Sequence, residues 1–382
     1  SILSFEFAGF VAIALIMYYI LPKKCQWAVL LTASYVFYLY AGWKTVGFIL
    51  VTTVTTWYGA GRIGDLQAGY RDAAAVNRDI WSREERRSKK ASYDRKQRNI
   101  LILVVMFNIG MLAVFKFRRF IPWFDRNWIM PLGISFYTFQ TVGYIVDVYR
   151  GKIGPERHFG RYALFTSYFP SIMEGPINRY QQMRDQFRAE HPFCLDSLKS
   201  GAGLFIWGLF KKLVIANRIA MFTKPVFSDP DSVSVSGARM LLAVLLWSLQ
   251  LYGDFSGGID MIRGVSRMFG IEVADNFRRP FFSKTLSEYW HRWHISLSMW
   301  LQDYVFYPLA LSKAAAKIGK KARKRFGAQV GKTLPGAIAS VVTFLLIGLW
   351  HDVALYYVAY GLWHGVLLGL SNMTAPAVAG FT

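Results

Sequence analysis

Six histidines are spread over 382 residues, and four of them, His291, His294, His351 and His364, fall in the last quarter of the chain beside or near tryptophan. Two stretches hold most of them. One is Leu286 to Asp303, Leu-Ser-Glu-Tyr-Trp-His-Arg-Trp-His-Ile-Ser-Leu-Ser-Met-Trp-Leu-Gln-Asp, and the other is its echo Gly348-Leu-Trp-His351. Imidazole gives and takes protons near neutrality, so this concentration points to proton-transfer chemistry. Polar groups among lipid-facing residues are costly enough to be functional suspects by default.

Other chemistries find less support. His291 and His294 form His-x-x-His on a similar helical face, but no Glu or Cys stands at a telling spacing to complete a metal site. Cys25 and Cys194 are far apart and suggest neither a disulfide framework nor a zinc knot. There is no Gly-x-Ser-x-Gly elbow and no phosphate-cradling glycine loop, which argues against a soluble-type hydrolase or a nucleotide enzyme. His158 and His191 read as surface residues, and His364 as a packing or wall residue.

The elements that must position these side chains are apolar. With 54% hydrophobic and 17% aromatic residues and a mean hydropathy of +0.26, the composition is that of a membrane protein. A spanning helix needs about 20 mainly apolar residues. Nine stretches qualify as candidates: Phe5 to Leu21, Gln26 to Trp43, Thr45 to Ala60, Ile100 to Phe117, Ile129 to Val148, Ser200 to Ala216, Ala238 to Tyr252, Pro335 to Trp350 and Val353 to Leu370. The first reads as a retained helix rather than a cleaved signal peptide, because it has no basic leader and no small-residue cleavage site. An all-α polytopic membrane protein is the expected fold class.

The net charge of +22 does not call for a nucleic acid, because Lys and Arg gather between the apolar stretches. Arg71 to Arg98 holds ten Lys or Arg against five acids, and Lys313 to Lys332 holds eight and no acid. The positive-inside rule places both in the cytoplasm. The second could alternatively dock an acidic carrier protein. Three parts follow: N-terminal membrane helices (1–64), a basic cytoplasmic or interfacial segment (65–99) that reads as a linker or an amphipathic helix, and a core (100–382).

Irregular segments punctuate that core. Pro131 to Arg150 is seeded with Gly, Ser, Thr and Gln, and Asp147 sits three residues from a partner in Arg150. Tyr168 to Tyr180 contains two prolines and a glycine, so it cannot be one straight helix. Broken backbone at membrane depth must be satisfied by protein or a water-filled cavity, which predicts a bent or re-entrant element carrying Glu174 and Arg179. Lys211 and Lys212 read as a cytoplasmic pair ending one span. Phe222 to Ser236 reads as an outward-facing acidic loop, and Gln250 to Asp260 as a glycine-rich break with Asp254, Ser256 and Asp260.

Taken together, Pro131 to Arg150, Phe169 to Tyr180, Tyr252 to Gly270, Trp290 to Ser298, Asp303 to Leu309 and Gly348 to His351 resemble the membrane-bound O-acyltransferase family. Within it, the chain is similar to the bacterial branch whose members O-acetylate alginate or D-alanylate teichoic acid. The resemblance covers most of the chain from about residue 100 onward. It implies a ring of about nine to eleven membrane helices, with re-entrant or broken members, around a central tunnel in a bacterial cytoplasmic membrane.

The resemblance also implies that His351 is catalytic and that His294 lines the same site. Trp290, Trp293, Trp350, Asp254 and Ser256 are candidate tunnel walls. Asp352 departs from the glycine that usually follows the catalytic histidine, and it is expected either to pair with a histidine or to cap the next helix.

Acyl transfer from a thioester to a hydroxyl needs a base and an oxyanion stabiliser, and two histidines suit those roles. No bound cofactor is expected. The co-substrate would be acetyl-CoA or an acylated carrier protein on the cytoplasmic side. The partners would be the bilayer, an extracytoplasmic transferase and a cell-envelope polysaccharide. D-alanyl transfer to teichoic acid is the alternative within that class. A non-catalytic channel, transporter or scaffold, with histidines as proton relays, is the alternative outside it.

Overall fold

The structure, a computed structural model, describes residues 3–121, 130–228 and 236–378. It is 83% helix, and among the described residues there is no β-strand beyond one isolated bridge. Four continuous helical stretches, Lys23–Val76, Arg83–Phe120, Gly237–Met268 and Ala328–His351, are long and apolar enough to cross a membrane. All nine apolar stretches read from the sequence fall largely on helices, so the architecture is that of a multi-pass helical membrane protein. The chain divides into two compact units, Ser1–Leu101 with Pro131–Asn276, and Ile102–Met130 with Phe277–Thr382.

In the first unit, α1 (Phe5–Ile20) and α2 (Gln26–Gly42) are joined by the short turn Lys23–Cys25 that follows Pro22. The next two helices, α3 (Val46–Val76) and α4 (Arg83–Phe117), run well past their apolar parts. The linker reading of residues 65–99 is therefore corrected, since the segment is helical except for the turn between Val76 and Arg83. A reciprocal cap explains the restart: the Glu85 N–H donates to Ser82 Oγ (3.2 Å) and the Ser82 N–H donates to Glu85 Oε2 (2.9 Å). The part of α4 from Ile102 onward belongs to the second unit.

After α5 (Ile134–Tyr149), the proline-bearing region breaks as its sequence requires, into α6 (Phe159–Ser167), α7 (Phe169–Ile172) and α8 (Tyr180–Arg188). Gly133, which opens α5, has φ 67°, and a Cβ there would stand 2.2 Å from the Ile172 carbonyl oxygen. Only glycine satisfies both conditions. Asp147 pairs with Lys152 at 3.8 Å.

The first unit closes with α9 (Leu195–Phe210), a π-helical turn over Lys211–Ala216, α10 (Asn217–Ser228) and α11 (Gly237–Met268). Two expectations fail here. Residues 222–228 are helical rather than loop, and Asp229, Pro230 and Asp231 lie outside the described residues. Lys211 does not end a span in water. It is buried, bonded to Asp260 (2.7 Å) and Ser256 (2.9 Å), and the helix continues past it through the π turn.

Two glycines on α9 meet two on α11 backbone to backbone. A Cβ at Gly208 would stand 2.5 Å from the Gly257 carbonyl oxygen, and one at Gly201 would stand 2.6 Å from that of Gly264. Small residues permit such approach in membrane helices, where lipid supplies no hydrophobic drive for association. Gly208→Ala is therefore expected to lower the melting temperature of the detergent-purified protein. Gly203→Ala, on the same helix with nothing within 4 Å, removes a backbone-entropy penalty of about 0.5–1 kcal/mol and should raise it or leave it unchanged. Equal behaviour of the two variants would refute the close-contact account.

The loop between α5 and α6 buries Glu156, whose carboxylate accepts from Tyr180 Oη (2.5 Å), Arg188 Nη2 (2.5 Å) and the His158 N–H (2.8 Å). Burial raises its pKa, but those hydrogen bonds and the Arg188 charge outweigh it and hold the carboxyl below its ordinary value of 4.5. A depressed carboxyl stabilises the fold fully above its unfolded pKa, and that contribution is lost as pH falls through the folded value. Thermal melts of the wild type between pH 7 and pH 3 should show an acid-side loss that Glu156→Gln reduces. An unchanged acid limb in the variant would remove Glu156 as its source.

Candidate active site

The second unit contains α12 (Leu286–Arg292), α13 (Ile295–Leu301), a π-helical turn over Gln302–Phe306, α14 (Tyr307–Ala310), α15 (Lys313–Phe326), α16 (Ala328–His351) and α17 (Leu355–Val378). Thr285 starts α12 by accepting the Glu288 N–H (3.1 Å), and Glu288 in turn pairs with Arg292 one turn later (2.5 Å). The helix stops there. Trp293 is extended and bridged to Phe277, with the Arg278 N–H donating to the Arg292 carbonyl (3.0 Å).

His294 follows with φ 45°, a left-handed conformation that a residue other than glycine adopts at a cost of roughly 1–3 kcal/mol. This overturns the reading of His291 and His294 as one helical face. His291 sits on α12, exposed, with Nδ1 bonded to the Ser287 carbonyl (2.7 Å), whereas His294 is turned away by the break and only 3% exposed.

His294 and His351 both pack against one indole. The Trp350 ring centroid lies 6.1 Å from that of His294 and 4.7 Å from that of His351. His351 is the last residue of α16 and is exposed; its ring stacks on Tyr357 (5.5 Å, 12°) and meets Tyr360 edge-on (6.4 Å). Tyr360 continues to His364 (4.6 Å), and His364 to Trp290 (5.2 Å).

Trp290 is buried, and neither its indole N–H nor His364 Nδ1 has a hydrogen-bond partner among the described residues. Trp290 also lines a cavity of about 140 Å³ with Phe344, Ile347, Ser340, Thr343 and Gln302. Trp293 is buried against Tyr289, on which it stacks (5.8 Å, 12°), and Phe277.

Asp352 takes neither expected role, since α17 starts at Leu355 and the one backbone N–H it accepts lies before that helix. Its carboxylate accepts its neighbour's N–H, that of Val353 (2.7 Å), and pairs with Arg119 (3.4 Å), which also donates to the Val353 carbonyl. Lys116 donates to the His351 carbonyl (3.1 Å) and lies over the Trp350 ring (5.8 Å). Asp254 and Ser256 belong to the first unit, where Lys212 and Lys211 engage them (2.5 and 2.9 Å). His158 caps α6 by accepting the Arg161 N–H (3.2 Å), and His191 bonds Gln26 and Gln186 (2.8 Å each), so both serve the fold.

Sequence reasoning missed Lys116, Tyr357 and Tyr360. Tyr357, Tyr360 and His364 recur at i, i+3 and i+7, which places them on one face of α17 and was a readable signal.

The contrast in exposure has a chemical readout. Diethyl pyrocarbonate acylates accessible imidazole, so peptide mapping after brief treatment should find His291 and His351 modified well before His294. Equal rates for all three would contradict the burial of His294.

The chain was compared with known proteins. A model described as "MBOAT, membrane-bound O-acyltransferase family" matches residues 156–323. The protein named "Probable alginate O-acetylase" in Pseudomonas putida is 32% identical over 95% of this chain and 68% of its own length. The Helicobacter pylori peptidoglycan O-acetyltransferase is 30% identical over 74% of this chain and 56% of its own. The Bacillus subtilis teichoic acid D-alanyltransferase is 32% identical over 65% and 60%. This chain spans only 64–66% of the length of the alginate O-acetylases of Azotobacter vinelandii and Pseudomonas fluorescens. A sequence similarity extending over nearly the whole of this chain, together with the family model over residues 156–323, identifies it as a member of the membrane-bound O-acyltransferase family.

Proposed function

We propose that this chain is an acyltransferase that moves a short acyl group, acetyl from acetyl-CoA, from the cytoplasmic side of the bacterial membrane towards a hydroxyl of an extracytoplasmic cell-envelope polysaccharide. A separate extracytoplasmic transferase completes delivery, and the helices surround a tunnel through which donor and acceptor meet. The observation that carries the reading is the placement of an exposed His351 and a buried His294 against the same Trp350 indole.

In this mechanism His351 takes the acceptor's hydroxyl proton as the oxygen attacks the thioester carbonyl. His294, held by its fixed backbone, donates to the oxyanion. The carbon–sulfur bond then breaks, and the departing thiolate recovers the proton from His351. Desolvation strengthens such donors and fixes them before the reaction begins. The acetyl reading is favoured over D-alanyl transfer because the relatives named for O-acetylation match 74–95% of this chain, against 65% for the Bacillus subtilis D-alanyltransferase.

Release of free CoA from acetyl-CoA by the detergent-purified protein tests this directly. General-base assistance is worth about 100- to 10,000-fold, so His351→Ala should lose that much activity while melting normally. His294→Ala should also fall steeply. Asp352→Asn should retain activity within a few-fold, because the carboxylate engages Arg119 and not an imidazole. CoA release that persists in His351→Ala would overturn the catalytic assignment. A folded wild type that ignores acetyl-CoA but turns over an acylated carrier protein would replace the donor. Solute uptake into proteoliposomes without any thioester would replace the enzyme with a transporter.

A further inference from the structure

The basic helix α15 is unlike every other charged segment of this chain. It packs five lysines and two arginines into Lys313–Phe326 without one acid. At about 3.6 residues per turn, Ala315, Gly319 and Ala322 form one stripe, and all five lysines, Lys313, Lys317, Lys320, Lys321 and Lys324, fall in the opposite half. Arg323 and Arg325 flank them.

The small-residue stripe is pressed against α16. A Cβ at Gly319 would stand 2.8 Å from the Gly331 carbonyl oxygen, and one at Gly331 would stand 2.4 Å from Arg323 Cβ. The lysine face is thereby turned away from α16, and all seven cations are exposed. Among the described residues no carboxylate pairs with any of them.

Such a face repels itself. Lys313 and Lys317, Lys317 and Lys321, and Lys320 and Lys324 stand at i and i+4, where like charges destabilise a helix. Favourable interaction with the helix dipole accounts for Arg323, Lys324 and Arg325 in the last turn, but not for Lys313, Lys317, Lys320 and Lys321. The segment Arg83–Lys90 makes the contrast plain, because there the cations alternate with Glu84 and Glu85. No described carboxylate supplies a counter-charge, so an anionic partner bound at this face would relieve the repulsion.

Two observations select a lipid surface over a soluble acidic partner. First, α15 is joined through the single residue Gly327 to α16, one of the helices long and apolar enough to cross a membrane. Clusters of four to eight cations next to a spanning helix have the composition that binds anionic headgroups. Second, Phe326 (61% exposed) and Ile318 (39%) stand bare on the same helix, and Leu311 (80%) stands bare two residues before it. An interfacial helix inserts such residues beside the headgroups, while its lysine stems reach over apolar surface to phosphate.

We infer that α15 is an anionic-phospholipid binding site, its lysine face holding phosphodiester headgroups where α16 enters the bilayer. The inference is independent of the acyl-transfer reading, and its test needs no activity.

The test is native mass spectrometry of the whole protein released from micelles containing equal phosphatidylglycerol and phosphatidylcholine. The wild type should retain phosphatidylglycerol preferentially. Each cation near an anionic surface contributes on the order of fivefold in affinity, so Lys317→Gln/Lys320→Gln/Lys321→Gln/Lys324→Gln should lose at least tenfold of that preference. The corresponding four Lys→Arg substitutions should keep it. Neutralising Arg86, Arg87, Lys89 and Lys90 instead, all exposed, should leave it unchanged. The Gln variant relieves repulsion and should melt no lower in neutral detergent. An absence of preference in the wild type, retention in the Gln variant, equal loss in the α4 variant, or displacement by millimolar inorganic phosphate would each overturn the inference.

Discussion

Backbone contact between α16 and α17 is the constraint on which the candidate site depends. A Cβ at Gly348 would lie 2.1 Å from the Tyr357 carbonyl oxygen, and one at Gly361 would lie 2.4 Å from that of Phe344. Hydrocarbon competes with every apolar side chain for such a surface, so helices associate in lipid through close van der Waals fit more than through burial. That fit sets the register. Moving α17 by one residue would rotate its face by about 100° and carry Tyr357, Tyr360 and His364 away from His351. The aromatic chain from His351 to Trp290 is thus a consequence of where two glycines allow two backbones to touch.

Polar groups elsewhere are handled by local pairing. Around the π turn of Lys211–Ala216, Lys211 meets Asp260 and Ser256, Lys212 meets Asp254, and Arg263 bridges to Asp275 at 2.5 Å. Charges taken out of water are costly unless matched in this way. The π turn also rotates the lysines relative to a regular helix, and π-bulges recur where a helix must present side chains it would otherwise misdirect. At His294 the same problem is solved by breaking a helix and pairing its loose strand with residues 277 and 278.

Much of this was legible in the sequence. The apolar stretches became helices, and the prolines between Tyr168 and Tyr180 broke one. The motif order also led to the right family. What could not be read was long-range. Lys211 looked like an aqueous anchor because Asp260, its partner, stands 49 residues later and only folding brings them together. His291 and His294 looked like neighbours on a helix because nothing local announces a left-handed histidine. The mixed charges of residues 65–99 left a linker and an amphipathic helix both open, although Ser82-x-x-Glu85 was an available capping signal for the helix. The Gly361-x-x-x-Gly365-x-x-x-Gly369 repeat was an available contact signal, and its glycines face Phe344, Val341 and Ala337.

The two motif histidines are held by different means, and the difference bears on what each can do. His351 ends a helix, is exposed, and is steadied by stacking on Tyr357, which suits the proton exchange proposed for its ring. His294 is buried, and its position is fixed by a strained backbone on one side and α13 on the other. Strain of this kind persists only where the surrounding structure over-determines it. A donor that stabilises developing charge gains most from such fixation, because it does not reorganise as the charge appears. Trp350 ties the two together, since its indole touches both rings while Lys116 anchors the helix end beside it. A change that moves this indole must therefore disturb the reachable histidine and the fixed one at the same time.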